Sequence, residues 1–312
     1  MKNLVSALLF SLLFASTAFA YDISINQFVE HPSLDESIRG FKDQLAAEGL
    51  EVTYKMHNAQ ANMPTVLQIV NQIIGENPSL VLAVATPSAQ ATVQKIKNIP
   101  VLFTAITDPV NAGLVASMQQ PGGNVSGTTD MSPIEAQVEL IREIHPKAKT
   151  LGVIYNAGEA NSVVQVDILK TAAAKYNFEV VEAVTVNTAG VFQAAKSLVG
   201  KIDAVYLPTD NTVISTLDAI IKVCTENKIP VYAGEPDSVR SGCVATLGIS
   251  FYDLGKQTGA MAARILRDKA NPATMPVEAQ TKFDLVINLN AAKQMNVVIP
   301  QAILDRAQEK IQ

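Results

Sequence analysis

Two acids, Asp210 and Glu235, each follow an apolar run that reads as a strand, 202–207 and 229–233. Two hydroxyl-bearing turns, Thr86-Pro87-Ser88 and Thr104-Ala105-Ile106-Thr107-Asp108, stand at the ends of the apolar runs 80–85 and 101–105. The acids can accept hydrogen bonds from an ammonium group. The turns open helices, so free backbone amides, the helix dipole and the hydroxyls of Ser88 and Thr107 together suit an anion. Neither turn carries Lys or Arg. A carboxylate held by neutral donors therefore fits better than a phosphate. Donors in one half of the chain and acceptors in the other describe a zwitterion such as an α-amino acid, held between two lobes. Each residue also has a plainer reading. Asp210 suits a helix cap, Glu235 a solvated loop acid, and Ser88 an ordinary helix start. Phe28, Phe103, Tyr155 and Tyr252 fall near the same rims, with His31 and Asn156 beside them. Each aromatic also suits the core; together they favour an apolar or aromatic ligand side chain.

The elements that must position these groups alternate strand and helix throughout. Ile23 and Ile25 mark a first strand at 22–28. Leu34, Ile38, Phe41 and Leu45 follow at helical spacing, and Gly49 ends that helix. The continuous apolar runs at 80–85 and 101–105 read as strands buried on both faces. Ser132-Pro133-Ile134-Glu135 reads as a capping box opening a helix over 133–144. Strands at 150–155, 179–185, 202–207, 229–233 and 243–249 then alternate with helices at 162–176, 189–198 and 211–226. This alternation predicts α/β architecture with parallel sheets covered by helices, and so many strands divide better into two sheets than one. In such sheets ligands bind beyond the carboxyl ends of the strands, where the polar residues named above stand. Pro121-Gly122-Gly123-Asn124 is the strongest irregular stretch in mid-chain and marks a passage between lobes.

No phosphate-cradling loop, dinucleotide fingerprint or nucleophile elbow occurs in the sequence. His57 and His145 lie at element ends and read as solvated. With two cysteines and three histidines in the chain, a Cys/His zinc cage is close to excluded, and no cofactor is implied. A periplasmic enzyme is the alternative from another class, but no nucleophile–base pair supports it. Lys+Arg number 24 against 29 Asp+Glu, for a net charge of −5, which argues against a nucleic-acid partner.

Residues 1–20 read as a secretory leader. Lys2 supplies the positive start, 4–14 the apolar stretch, and Ala18-Phe19-Ala20 the cleavage site. The apolar stretch is too short to span ~30 Å of hydrocarbon. An exported, unanchored protein suits a periplasm. An oxidising compartment also permits a Cys224–Cys243 disulfide, the alternative being two buried thiols.

The chain resembles the ABC-transporter substrate-binding proteins of the tryptophan- and tyrosine-binding kind. The likeness rests on Phe28-Val29-Glu30-His31-Pro32-Ser33-Leu34-Asp35, Thr86-Pro87-Ser88-Ala89-Gln90, Thr107-Asp108-Pro109-Val110, Pro121-Gly122-Gly123-Asn124-Val125-Ser126-Gly127, Asn161-Ser162 and Gly255-x-x-x-Gly259. It covers nearly all of 22–312. It implies a type I periplasmic binding protein: two doubly wound parallel-sheet lobes joined by a three-crossover hinge. The lobes would be 21–127 with 252–281 returning, and 128–251 with 282–312 rejoining. It further implies that Ser88, Ala105 and Thr107 hold a ligand carboxylate, and Asp210 and Glu235 its ammonium. The implied partners are an amino acid and an inner-membrane ABC permease, with the receptor acting as a monomer. Members often carry a lipid-bearing Cys after the leader; this chain lacks it. A receptor or sensor for another small ligand, such as a nucleoside or signalling molecule, is the alternative within this fold.

Overall fold

The computed structural model describes residues 20–312; the leader expected over 1–20 lies outside them, Ala20 excepted. The first lobe opens with β1 (Tyr21–Gln27), α1 (Pro32–Ala47), β2 (Val52–Asn58), α2 (Met63–Glu76), β3 (Leu80–Val84), α3 (Thr86–Lys95), β4 (Val101–Ile106) and β5 (Val125–Thr129). All residues of β3, β4 and β5 are buried, as strands covered by helices on both faces must be. Helix α1 starts at Pro32, whose missing N–H costs nothing in a first turn. It buries Leu34, Ile38, Phe41 and Leu45 along one stripe. Asn62 caps α2 by accepting from the Thr65 amide, and the left-handed Asn77 ends that helix.

The chain then crosses to the second lobe. That lobe contains α4 (Ile134–Ile144), β6 (Thr150–Asn156), α5 (Ala160–Lys175), β7 (Glu179–Thr185), α6 (Val191–Leu198), β8 (Ala204–Leu207), α7 (Asn211–Ile214), α8 (Leu217–Glu226), β9 (Val231–Ala233), α9 (Pro236–Arg240) and β10 (Ala245–Gly248). A second crossing at 249–250 leads to α10 (Phe251–Leu266), which packs on α1 at Gly255 and Gly259 and adds Leu254, Met261 and Ile265 to the first core. The short β11 (Glu278–Ala279) pairs with β5. A third crossing leads to β12 (Asp284–Asn288), α11 (Leu289–Gln294), α12 (Gln301–Arg306) and β13 (Glu309–Ile311), which complete the second lobe. Gln280 Nε2 donates to the Ser250 carbonyl at 2.9 Å and so ties the second and third crossings together.

The first sheet has the order β11-β5-β4-β3-β1-β2 and the second β13-β12-β10-β9-β8-β6-β7. Every pairing is parallel except β10 with β12. Strand order reverses between β1 and β3 in one lobe and between β6 and β8 in the other, which opens a crevice at those strand ends.

Several local expectations are corrected. The capping box at 132–135 does not form: α4 begins at Ile134 after Pro133, with no side-chain cap. Ser132 Oγ donates instead to the Gly234 carbonyl at 2.9 Å, fastening the first crossing to the end of β9. The expected helix 211–226 is broken into α7 and α8. Ser215 and Thr216 direct their hydroxyls at the Thr212 and Val213 carbonyls, a local competition that interrupts the helix. His57 and His145 are half-buried rather than solvated; they meet Glu76 at 3.2 Å and the Tyr232 hydroxyl at 2.6 Å. Cys224 and Cys243 are buried free thiols, not a disulfide, and burial raises both above the ordinary thiol range.

Candidate functional site

The carboxyl ends of the two sheets close on a small, nearly filled cavity. The first lobe contributes His31, Ser33 and Leu34 from the start of α1, Ala105 from the end of β4, Asp130 from the first crossing, and Phe251 from α10. The second lobe contributes Thr209, Asn211, Ile214 and Glu235. No Lys or Arg stands among them. A groove lined by Glu30, Thr216 and Asp218 shares His31, Ser33 and Ile214 with the cavity and leads out to solvent.

Asp130 is the carboxylate most available to a ligand. It is 3 % exposed, and Thr107 Oγ1 donates to its Oδ1 at 2.9 Å. Among the described residues it enters no ion pair. Burial pushes its carboxyl up to about 6, against the opposing pull of the Thr107 hydroxyl. Glu235 lies on the same wall but is engaged. It caps α9, accepting from the Asp237 amide at 2.6 Å, the Ser238 amide at 3.0 Å and the Ser238 hydroxyl. Burial, with the Asp237 carboxylate second, raises its pKa.

Asp210 stands one layer behind. It caps α7 through the Val213 amide at 2.8 Å and accepts the Asn156 amide at 2.6 Å. Burial and then the Glu159 carboxylate push its pKa up. Glu159 is itself buried and accepts from Asn211 and Thr212 through backbone and side chain alike. The two acids hold the start of α7 and thereby present Asn211 and Ile214 to the cavity.

Of the other residues marked in the sequence, His31, Ala105 and Glu235 meet at the cavity wall, while Thr107 sits directly behind Asp130. Ser88 turns its hydroxyl to Asn26 Oδ1 at 3.4 Å, away from the cavity. Phe28 is packed in the first core. Tyr155 donates its hydroxyl to Glu182 at 2.7 Å, and Asn156 Nδ2 donates to Thr212 Oγ1 at 2.9 Å. Tyr252 donates to Asp43 on the outside of α1, whereas its neighbour Phe251 faces the cavity. Asp130, Ile214, Glu159 and Gln165 were not marked at all. The only sequence trace of Asp130 is the hydrophilic run Thr128-Thr129-Asp130.

Two further details mark this end of the first lobe. Among the described residues, His31 Nδ1 and Ser33 Oγ are buried without a well-formed hydrogen bond, although the Ser33 hydroxyl lies close enough to Glu235 to oppose the rise of its pKa. Such atoms are costly to leave poorly paired and can take up a better partner. Burial lowers His31 to about 4, with the Asn211 side chain opposing, so the ring is neutral at physiological pH. The adjacent strand ends also hold Ala85 at φ 74° and Ala105 at φ 58°, backbone conformations that non-glycine residues rarely adopt.

Two doubly wound lobes closing on a polar cavity over a three-stranded passage define a type I periplasmic binding protein. Over residues 22–311 the sequence matches the model of the family described as ABC transporter substrate binding protein, and the chain belongs to that family. It is 43% identical over 280 residues to a tyrosine-binding protein of Clostridioides difficile (strain R20291), covering 88% of this chain and 81% of that one. A Streptococcus pneumonia ABC domain in complex with L-Trp is 34% identical and superposes with a TM-score of 0.90 over 94% of this chain and 100% of that one. A ligand-free, open substrate binding protein with adhesive properties from Clostridium difficile is 41% identical over the same shares, with a TM-score of 0.69.

Proposed function

We propose that this protein captures an aromatic amino acid between its lobes and presents it to an ABC permease, working as a free monomer in the periplasm. The observation that carries the reading is Asp130: a buried carboxylate without a cation, facing a cavity closed by both lobes. A ligand ammonium supplies the missing charge. The ligand carboxylate is assigned to the start of α1, where Ser33 Oγ, neutral His31 Nδ1 and first-turn amides converge. Phe251 and Ile214 then face the ligand side chain. Two relatives support the aromatic class, one named for tyrosine and one solved with L-Trp. The chain also superposes better on the L-Trp complex than on the open structure, although the open one is closer in sequence.

Calorimetric titration with L-tyrosine, L-tryptophan, L-phenylalanine and L-leucine tests the proposal. Binding of at least one aromatic amino acid, tighter than leucine, is expected; no heat from any of them at millimolar concentration would overturn it. Affinity is also expected to fall in acid. Asp130 must be ionised to hold an ammonium, and its pKa is about 6. At pH 5 only about a tenth of it is ionised, so the dissociation constant should rise about tenfold over that at pH 7.5. His31 stays neutral across that range and contributes nothing to the change. A flat affinity from pH 7.5 to 5 would remove Asp130 from the ammonium site.

A further inference from the structure

We propose that Gln165, on α5 of the second lobe, is a positioning residue for the ligand. It reaches across the cleft to Thr107 and fixes the Thr107 hydroxyl on Asp130, so that lobe closure and the ammonium seat form one hydrogen-bonded unit. The inference rests on the assignment of Asp130 as the ammonium partner.

Gln165 is fully buried. Its Nε2 donates to Thr209 Oγ1 at 2.7 Å and to the carbonyl of Asn161, within α5, at 3.1 Å, and lies 3.3 Å from Thr107 Oγ1, while its Oε1 accepts the Thr209 amide at 3.1 Å. Thr209 belongs to the second lobe and itself lines the cavity; Thr107 belongs to the first. The Thr107 contact is therefore the one that opening must break. A hydroxyl has a single hydrogen and a free rotor. With a Gln165 N–H, shared with the Asn161 carbonyl, directed at its oxygen, Thr107 turns its own hydrogen away from the second lobe, and Asp130 Oδ1 at 2.9 Å receives it. Thr129 Oγ1 donates to the Thr107 carbonyl at 2.8 Å and steadies the same turn. In a water-poor interior such a chain polarises along its length, so each bond strengthens the next. A ligand ammonium on Asp130 thus favours the Gln165–Thr107 contact without touching α5. Conversely, separating the lobes leaves the Thr107 rotor free and the carboxylate less well held.

The test combines a double-mutant cycle with a distance measurement. The variants are Gln165→Leu, Thr107→Val, both together, and Thr107→Ser, which retains the hydroxyl. Tyrosine and tryptophan affinities are measured by calorimetry. Closure is read from spin labels at Met63→Cys and Val186→Cys, which stand on the cleft-side rims of opposite lobes at 43% and 77% exposure. Each apolar variant is expected to weaken binding about tenfold and to shift the label distances toward the open form. The double variant should be no weaker than the poorer single one, and Thr107→Ser should restore both readouts. A merely structural role for either residue would give additive losses without a distance change, and that result overturns the proposal. Where no amino acid binds even the unmodified protein, the functional assignment fails separately. The ligand-free distances then decide: opening in Gln165→Leu supports the contact's role in closure, and distances equal to the unmodified protein's overturn it.

Discussion

Asp130→Asn is expected to reduce aromatic amino-acid affinity by at least about thirtyfold while leaving the protein as stable as before, or more stable, at pH 7.5. Truncating one partner of a buried charge pair costs roughly 2–5 kcal/mol of binding. Asn keeps the shape and can still accept the Thr107 hydroxyl, so the cavity wall is preserved. The stability change runs the other way. Burial raises the Asp130 pKa from 3.8 to about 6. The folded chain therefore holds this proton more tightly than the unfolded chain. The group is neutral and inexpensive below about pH 4. Its folded-state cost grows as pH rises and is complete above about 6, at about 3 kcal/mol. Asn carries no such cost. Thermal melts at pH 5 and pH 7.5 should thus show the unmodified protein losing stability with rising pH relative to Asp130→Asn. A ligand ammonium offsets the same cost, which gives it leverage over closure. Unchanged affinity in Asp130→Asn would move the ammonium to Glu235, whose carboxylate the α9 amides already occupy.

That division of labour among acids explains how far the sequence could be read. The alternation of elements was legible because parallel strands such as Leu80–Val84 and Val101–Ile106 are buried on both faces and show as unbroken apolar runs. The loops that line the cavity were legible for a topological reason, since they follow those strands. Individual side chains within the loops were not. Asp210 and Glu235 look alike in sequence, yet both are taken up by the amides of short helices, one behind the wall and one in it. Asp130 follows a strand that leaves the lobe instead of starting a helix within it, so no cap motif drew attention to it. Tyr252 and Phe251 are neighbours on one helix; which of them faces the cavity depends on the rotation of α10 against α1, a tertiary property. Gln165 reaches Thr107, and a contact between residues 58 positions apart in different lobes leaves no local pattern.

Gly255→Ala is expected to destabilise the protein by about 3 kcal/mol or more, although alanine is the better helix former. Helices α1 and α10 approach until their backbones touch. A Cβ at Gly255 would lie 1.9 Å from the Ser37 carbonyl oxygen and 2.9 Å from the Phe41 amide nitrogen. A Cβ at the facing Gly40 would lie 2.0 Å from the Tyr252 carbonyl oxygen. These obstacles are backbone atoms of two 16-residue helices, with no rotamer to change. Relief requires the helices to separate by more than an ångström. That separation would loosen Phe41, Leu254 and the other side chains that seal the first core beside the contact. Overpacking of this kind costs roughly 1–3 kcal/mol, and occasionally more, even where side chains can yield. The helix-propensity gain returns only about 1 kcal/mol. Gly75→Ala is the matched control: it lies within α2, and its Cβ would meet nothing within 4 Å. It should raise stability by about 0.5–1 kcal/mol. In urea or thermal unfolding the two substitutions should therefore move the midpoint in opposite directions. Equal shifts would mean that α10 does not lie against α1 at this distance. Because Phe251 is on the first turn of α10, Gly255→Ala should also weaken ligand binding, whereas Gly75→Ala should leave it unchanged.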